Sequence, residues 1–122
     1  MGTNKVFGAF GESLATEYLT ECGYKVLERN FSCRTGEIDI IARNKEYIVF
    51  IEVKARANLN YGLPCEAVNY HKQNVIGKVA AAYLANKKIV DENCRFDVIE
   101  VLACGDRVTN INHIIDAFQP RI

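Results

Sequence analysis

The chain has 122 residues, of which 49% are hydrophobic, and its 15 Lys and Arg residues balance 15 Asp and Glu residues, which predicts a single domain over residues 1–122 with a hydrophobic core. No stretch approaches the roughly 18 apolar residues of a membrane span, and the N-terminus lacks the apolar region of a signal peptide, so we expect a cytoplasmic protein with no membrane partner. The five cysteines are odd in number and contain no C-x-x-C pair, which argues against a disulfide framework and a zinc knuckle.

The first predicted element is a helix from Thr3 or Asn4 to about Cys22, with Gly23 as its C-cap. Its predicted apolar face carries, at helical spacing, Phe7, Phe10, Gly11, Leu14, Tyr18 and Cys22. Glu12 lies on the flank of this face. A glutamate there either reaches a site at the helix edge or is simply solvated, and the pattern favours the solvated alternative.

Strands follow in the prediction: residues 24–31, then a turn over 32–36, then an antiparallel hairpin of residues 37–43 and 46–56. The second hairpin strand is apolar until it places Glu52, Lys54 and Arg56 at period-two spacing on one face. Charged groups at the end of a core strand require a partner, a metal or contact with water. This strand end is therefore the first candidate for a functional site.

Asp39, in the first hairpin strand, supplies another carboxylate whose position relative to Glu52 depends on the loop. A loop of residues 44–45 sets Asp39 opposite Phe50, with Glu52 as its diagonal neighbour. A loop of residues 44–47 sets Asp39 directly opposite Glu52. In both registers the two side chains share a face, with Cβ atoms roughly 5–8 Å apart.

The carboxylates of Asp39 and Glu52, beside the Val53 carbonyl, suit a hard divalent cation such as Mg²⁺. Lys54 brings a positive charge to the same place, where it could orient an attacking water or stabilise charge that develops on a phosphate. The plain alternative is a salt-bridged Glu52–Lys54 pair at a frayed strand end.

The remaining predicted elements are a loop over residues 57–64, a helix from about Cys65 to Lys87, a strand over 95–102, a turn at 105–106, a strand or ragged edge over 108–115, and a tail to Ile122. The loop directly follows the charged strand end, so we expect it to contact substrate. The predicted order is α-β-β-β-α-β-β, an α/β protein.

Positive charge is concentrated in the middle of the chain, where residues 54–90 carry six Lys and Arg residues and one Glu. On the predicted second helix Lys78 points away from the apolar stripe and Gln73 sits at its edge. Lys72 falls on the stripe, so it either snorkels out or points into a polar site. A basic helix beside an acidic pocket is what a phosphodiester substrate requires, although a solvated lysine-rich face is the common alternative.

A set of motifs runs nearly end to end along the chain: Gly8–Tyr18 with Gly11-Glu12, Gly36–Asp39, Phe50–Arg56, Tyr61-Gly62, Glu66–Val68, Lys72-Gln73 and Arg95–Val98. This ordered set resembles the PD-(D/E)XK nuclease superfamily and, within it, the YraN-type family of small bacterial proteins related to Holliday-junction resolvases. Ile38 replaces the proline of the superfamily's name, but the adjacent aspartate supplies the chemistry.

The resemblance implies a restriction-endonuclease-like core, with a mixed central sheet flanked by helices. It implies that Asp39 and Glu52 bind Mg²⁺ or Mn²⁺ with the Val53 carbonyl, that Lys54 is the catalytic lysine and that Glu12 is an accessory carboxylate that organises a water. For Glu12 the resemblance therefore favours a role in the site over the solvated position that the helical pattern alone favours.

The nucleic-acid contacts expected beside this site are Arg56, Lys72, Gln73 and Lys78. The implied function is a Mg²⁺-dependent endonuclease acting on DNA, including branched or repair intermediates. The alternative is a nucleic-acid-binding module on the same fold without significant catalysis. A junction resolvase needs two active sites, and that function would therefore require a homodimer.

Overall fold

The computed structural model describes residues 2–56, 68–104 and 107–121. In these ranges the elements in chain order are α1 Gly2–Glu21, β1 Lys25–Ser32, β2 Glu37–Arg43, β3 Tyr47–Arg56, α2 Tyr70–Asn86, β4 Asn93–Cys104 and β5 Arg107–Ile114. The mixed α/β class expected from the sequence is confirmed. The loop predicted over residues 57–64 and the turn predicted at 105–106 lie outside the described residues. Among the helices described, none is both long and apolar enough to cross a membrane.

The described strands form one five-stranded sheet in the order β1-β2-β3-β4-β5. Neighbouring strands are antiparallel except β3 and β4, which are parallel. A parallel pair requires a crossover connection, and α2 lies between these two strands in the chain. The central strands are covered on both faces, which explains why most of β3 reads as a continuous apolar run.

Hydrophobic clusters cover both faces of the sheet. The helix α1 packs on one face, where Ala15 and Leu19 are buried against alternate residues of β2, β3 and β4. The helix α2 packs on the other face, against the set of strand residues that includes Phe50. Because side chains alternate along a strand, the residues of β3 that follow Phe50 on the α2 face are Glu52 and Lys54.

The buried face of α1 differs from the predicted apolar face. Phe10 is 42% exposed, whereas Leu19 is fully buried. The prediction followed helical spacing and included Gly11, which is buried as expected. At this residue the helix approaches β3 so closely that a Cβ on Gly11 would lie 3.0 Å from the Cβ of Ala55. Small residues therefore face the sheet, and the buried stripe is rotated toward the flank that carries Glu12.

The helix α2 begins later than predicted. The predicted start at about Cys65 is wrong, because Val68 and Asn69 are not helical and the first helical residue is Tyr70. The Asn69 side-chain oxygen caps the helix by accepting a hydrogen bond from the Lys72 backbone N–H at 2.8 Å. The apolar periodicity that starts at Val68 obscured this cap in the sequence.

Candidate metal-binding and catalytic site

The β2–β3 hairpin holds Asp39 and Glu52 opposite each other. The ladder pairs Ile40 with Ile51, and the next residues in the same register are the two carboxylates. Asn44 closes the turn, since its side-chain oxygen accepts two backbone hydrogen bonds at 2.9 and 2.7 Å. The structure therefore has the four-residue connection rather than the two-residue one.

Both carboxylates are largely removed from water, and each opposes ionisation of the other. The side chain of Glu52 is 8% exposed. Burial, followed by the hydrogen bond and charge of Glu52, raises the pKa of Asp39 to about 8, although the Val53 N–H and the Lys72 ammonium act against that rise. The Val53 N–H donates to Asp39 Oδ2 at 2.8 Å. At neutral pH the pair therefore retains a proton, and a cation placed between the carboxylates would relieve their repulsion.

Lysines from the sheet and from α2 face this pair. Lys72 Nζ lies 3.3 Å from Glu52 Oε2, so of the two alternatives for Lys72 the structure selects the polar site. Lys54 is half-buried on β3; burial lowers the pKa of its ammonium, while Glu52 raises it and Lys72 lowers it further. We call Asp39, Glu52, Lys54 and Lys72 the carboxylate–lysine cluster.

Glu12 approaches this cluster from α1. Its side chain is 18% exposed. Burial and then the charge of Asp39 raise the pKa of Glu12, while Asn30 and Arg29 act in the opposite direction. Arg29 Nη2 is 3.9 Å from Glu12 Oε1, a distance at the limit of an ion pair. The structure thus places Glu12 within electrostatic reach of Asp39 and not in open solvent.

A cleft of about 260 Å³ opens between the β2–β3 hairpin and the first turns of α2. Its lining comprises Glu37, Asp39, Glu52, His71, Lys72, Val75 and Ile76. Lys54 and Glu12 approach the carboxylates from outside this lining. Sequence reasoning missed Glu37 and His71. Glu37 stands two residues before Asp39, so period-two spacing could have found it, whereas the position of His71 depends on where α2 begins.

The other predicted nucleic-acid contacts differ in whether their side chains bond within the protein or reach solvent. Gln73 Nε2 donates to the Val68 carbonyl at 3.0 Å and so holds the segment that enters α2. Arg56 Nε lies 2.8 Å from Glu100 Oε2, and these side chains are 10% and 5% exposed. Lys78 is exposed on α2. Gln73 and Arg56 are therefore engaged within the fold, while the lysines of α2 reach solvent.

The described residues contain no group of three or more His, Cys, Asp and Glu side chains arranged to hold a metal ion. What the structure assembles is the pair of carboxylates, with Val53 next to Glu52 in the chain and bonded through its N–H to Asp39. The atoms available to ligate a cation are the carboxylate oxygens of this pair and the Val53 carbonyl oxygen, which is a small set made up of oxygen alone. Such a set suits a hard cation that keeps several of its own waters, and it does not suit zinc.

Another buried polar cluster lies on the α1 face of the sheet, around the fully buried Asp97. Arg95 donates to both of its carboxylate oxygens, at 2.9 and 2.8 Å, and His113 Nε2 lies 2.7 Å from Oδ2. Tyr18 bonds to His113 and Tyr24 to Arg95. Burial would raise the pKa of Asp97, but these hydrogen bonds and one from a backbone N–H hold it below its usual value. We call these five side chains the Asp97 cluster.

Comparison with known sequences identifies the family. The model of the uncharacterised protein family UPF0102 matches residues 11–101. The chain is 48% identical over 116 residues to a UPF0102 protein of Caldanaerobacter subterraneus subsp. tengcongensis, covering 93% of this chain and 95% of that relative. UPF0102 proteins of Clostridium acetobutylicum and Clostridium kluyveri are 50% and 51% identical, over 95% of this chain in each case and over 88% and 96% of the relative. The chain therefore belongs to the UPF0102 family.

Proposed function

We propose that this protein is a divalent-cation-dependent endonuclease that hydrolyses phosphodiester bonds in DNA. The observation that carries the proposal is the Asp39–Glu52 pair, which the hairpin holds together although burial and mutual repulsion oppose its ionisation. An arrangement of this kind weakens the fold when no cation is bound, which is typical of a functional site. The alternative was a local salt bridge between Glu52 and Lys54 at a frayed strand end. It is disfavoured because Glu52 instead forms its ion pair with Lys72, which comes from a separate helix.

The restriction-endonuclease-like fold belongs to the same proposal. Three features support it: a mixed sheet, a hairpin that carries the carboxylates, and a helix that brings Glu12 to their side. The replacement of proline by Ile38 is compatible with this reading, because Ile38 is 2% exposed and serves the core while Asp39 faces the cleft.

In the proposed site Asp39, Glu52 and the Val53 carbonyl would hold Mg²⁺ or Mn²⁺. When bound, the cation would stabilise, as a Lewis acid, the charge that develops on the phosphate. Lys54 donates hydrogen bonds to a phosphate oxygen and strengthens them in the transition state, where the negative charge is greatest. Glu12, whose carboxyl has a raised pKa, orients the attacking water and accepts its proton.

DNA would lie across the open side of the cleft, next to the first turns of α2. Lys72 and Lys78 are the phosphate contacts that this arrangement favours, since Gln73 and Arg56 bond within the fold. The substrate class includes branched and repair intermediates, as the family resemblance implies, and the place of action is the cytoplasm, as expected from the sequence. Cleavage of a four-way junction at paired positions would require a homodimer, which light scattering can detect.

The test of the proposal is a cleavage assay on linear, flapped and four-way DNA with Mg²⁺ or Mn²⁺. Wild-type protein should cut at least one substrate. A chelator or Asp39→Asn should abolish cutting, and Lys54→Ala should slow it by about 10²–10³-fold. Asp91→Asn is the matched control, because it makes the same chemical change on an exposed residue away from the cleft. Cleavage that persists in Asp39→Asn would contradict the proposal.

Cation binding can be tested separately from chemistry by thermal unfolding. A ligand that binds only the folded state stabilises it by mass action, by about 2.7 kcal/mol at one hundred times its Kd. Millimolar Mg²⁺ or Mn²⁺ should therefore raise the unfolding midpoint of the wild type more than that of Asp39→Asn. Equal shifts in the two proteins would count against a specific site.

A DNA-binding module without turnover is the second candidate. It is favoured by the small number of side-chain donors, since in the described ranges no three acidic, His or Cys side chains surround one metal position. In that case wild type and Lys54→Ala would bind DNA alike, and neither would cut any substrate with either cation.

A further inference from the structure

The ion pair between Lys72 and Glu52 joins a fixed partner to a movable one. Glu52 is 8% exposed on a central strand, whereas the Lys72 side chain is 44% exposed. The backbone of Lys72 is held in the first turn of α2 by the Asn69 cap, but its long side chain can turn toward solvent. The buried carboxylate therefore has little space to move, while the half-exposed ammonium can turn toward water.

The position of Lys72 Nζ conflicts with a divalent cation on the same carboxylates. The ammonium lies 3.3 Å from Glu52 Oε2. A Mg²⁺ ion would bind that oxygen at about 2.0–2.1 Å, which would bring it within a few ångströms of the ammonium. Two positive charges at such a separation repel strongly in a partly buried site. Lys72 and the cation therefore compete for Glu52.

We propose that Lys72 acts as the counter-ion of Glu52 in the cation-free protein and that cation binding releases it to a DNA phosphate. The inference rests on the proposed function, and it adds that Lys72 couples the two ligands. The cation displaces the ammonium, and the displaced ammonium lies at the mouth of the cleft where the phosphate arrives. Coupling between binding sites is reciprocal, so bound DNA also favours the cation by holding Lys72 away from Glu52.

The first experiment measures Ca²⁺ and Mg²⁺ affinity by calorimetry without DNA, in alkaline buffer where protons compete least for the carboxyl oxygens. Lys72→Gln should bind the cation about tenfold more tightly than wild type, because the competing charge is gone. Lys72→Arg keeps the charge and should resemble the wild type. Lys87→Gln removes a lysine just beyond the far end of α2 and should change the affinity by less than about twofold.

The second experiment measures how DNA affinity depends on salt, with and without Ca²⁺. In wild type the cation should steepen the dependence by about one phosphate contact more than in Lys72→Gln, since only the wild type gains a released lysine. The same increase in both proteins would overturn the coupling.

The outcomes separate this inference from the proposed nuclease. Equal or weaker cation affinity in Lys72→Gln overturns the counter-ion role but leaves the nuclease intact. Tighter cation binding in Lys72→Gln, with no cleavage by any protein, supports the counter-ion role and removes the nuclease. Absence of cation binding in every variant overturns both.

Discussion

Two aspartates of the sheet, the fully buried Asp97 and the partly buried Asp39, show how different neighbours change the same side chain. Asp97, on the α1 face, accepts hydrogen bonds from Arg95, His113 and a backbone N–H, and these hold its pKa below the usual value. Asp39, on the α2 face, lies against Glu52, and its pKa is raised to about 8. The Asp97 cluster satisfies its charge within the protein, whereas the carboxylate–lysine cluster does not.

This difference separates a structural role from a functional one. A buried charge whose hydrogen bonds are all made is satisfied within the fold and offers nothing to a ligand. A carboxylate beside another carboxylate opposes folding, so its retention calls for another explanation. Exposure agrees with this division, since Asp97 is fully buried while Asp39 lines an open cleft. Substitutions can test the comparison from both sides.

The largest expected effect is on stability at Asp97. Asp97→Asn should lower the free energy of unfolding by about 3–5 kcal/mol, because Arg95 would keep a buried charge without its counter-charge. Urea unfolding measures the loss. Asp39→Asn is the same chemical change on the opposite face and should cause no loss in the absence of cations. A loss at Asp97 no greater than at Asp39 would break the comparison.

The next effect is on chemistry in the carboxylate–lysine cluster. Lys54→Ala should lower the single-turnover cleavage rate by about 10²–10³-fold, as removal of one transition-state donor does. Its DNA affinity should fall only by the contribution of one phosphate contact, and the slope of affinity against salt concentration should decrease by about the same one contact. Lys78→Ala should do the reverse, weakening DNA binding more than it slows cleavage at saturating DNA. Parallel losses of rate and affinity in both variants would show that Lys54 has no special role in catalysis.

A third effect concerns pH, where the two aspartates act in opposite directions. The folded protein keeps the Asp39 proton from its ordinary pKa of 3.8 up to about 8, whereas the unfolded chain loses it at the start of that range. Stability should therefore fall as pH rises through this window. The contribution of Asp97, whose pKa is lowered, is present at neutral pH and is lost as pH falls through its folded value.

Urea unfolding in chelator-containing buffer, measured from below pH 3.8 to above pH 8, follows both the acid loss that Asp97 causes and the alkaline loss that Asp39 causes. Asp39→Asn should flatten the decline toward alkaline pH and leave the acid limb in place. A wild-type curve that rises steadily from acid to alkaline pH would remove the electrostatic basis for the candidate site.

Much of the fold could be predicted because strand periodicity is strict. Side chains alternate with a period of two, so either even loop length brings Asp39 and Glu52 to one face. The choice between the two registers depends on the bonds that Asn44 makes inside the turn. The rotation of the buried face of α1 from Phe10 toward Ala15 and Leu19 could not be predicted from helical spacing, because it depends on how the helix lies on the sheet.

The parts of the site that escaped prediction depend on distant contacts. The pairing of Lys72 with Glu52 requires both the start of α2 and its position over β3, and neither is encoded in a local pattern. The Asp97 cluster joins Tyr18 to His113 across 95 residues of sequence, so no spacing rule could have assembled it. Short-range order was therefore predictable, and the arrangement of charges across elements was not.

The smallest expected effect comes from a substitution that disturbs only the α2 face of the sheet. A Cβ on Gly36 would lie 2.6 Å from Cγ1 of Val75, which lines the cleft, so Gly36→Ala should push the start of α2 outward. We expect a loss of about 1 kcal/mol, since Val75 is stiff but lines the open cleft, where the start of α2 can move toward solvent. The rise in the unfolding midpoint with Mg²⁺ should also be smaller than in the wild type. Gly23→Ala is the matched control: it should cost a similar amount because φ is +92° there, but it touches no neighbour and lies far along α1 from the cleft. If both variants lose stability equally and respond equally to Mg²⁺, the cation response does not depend on the position of α2 over the carboxylates.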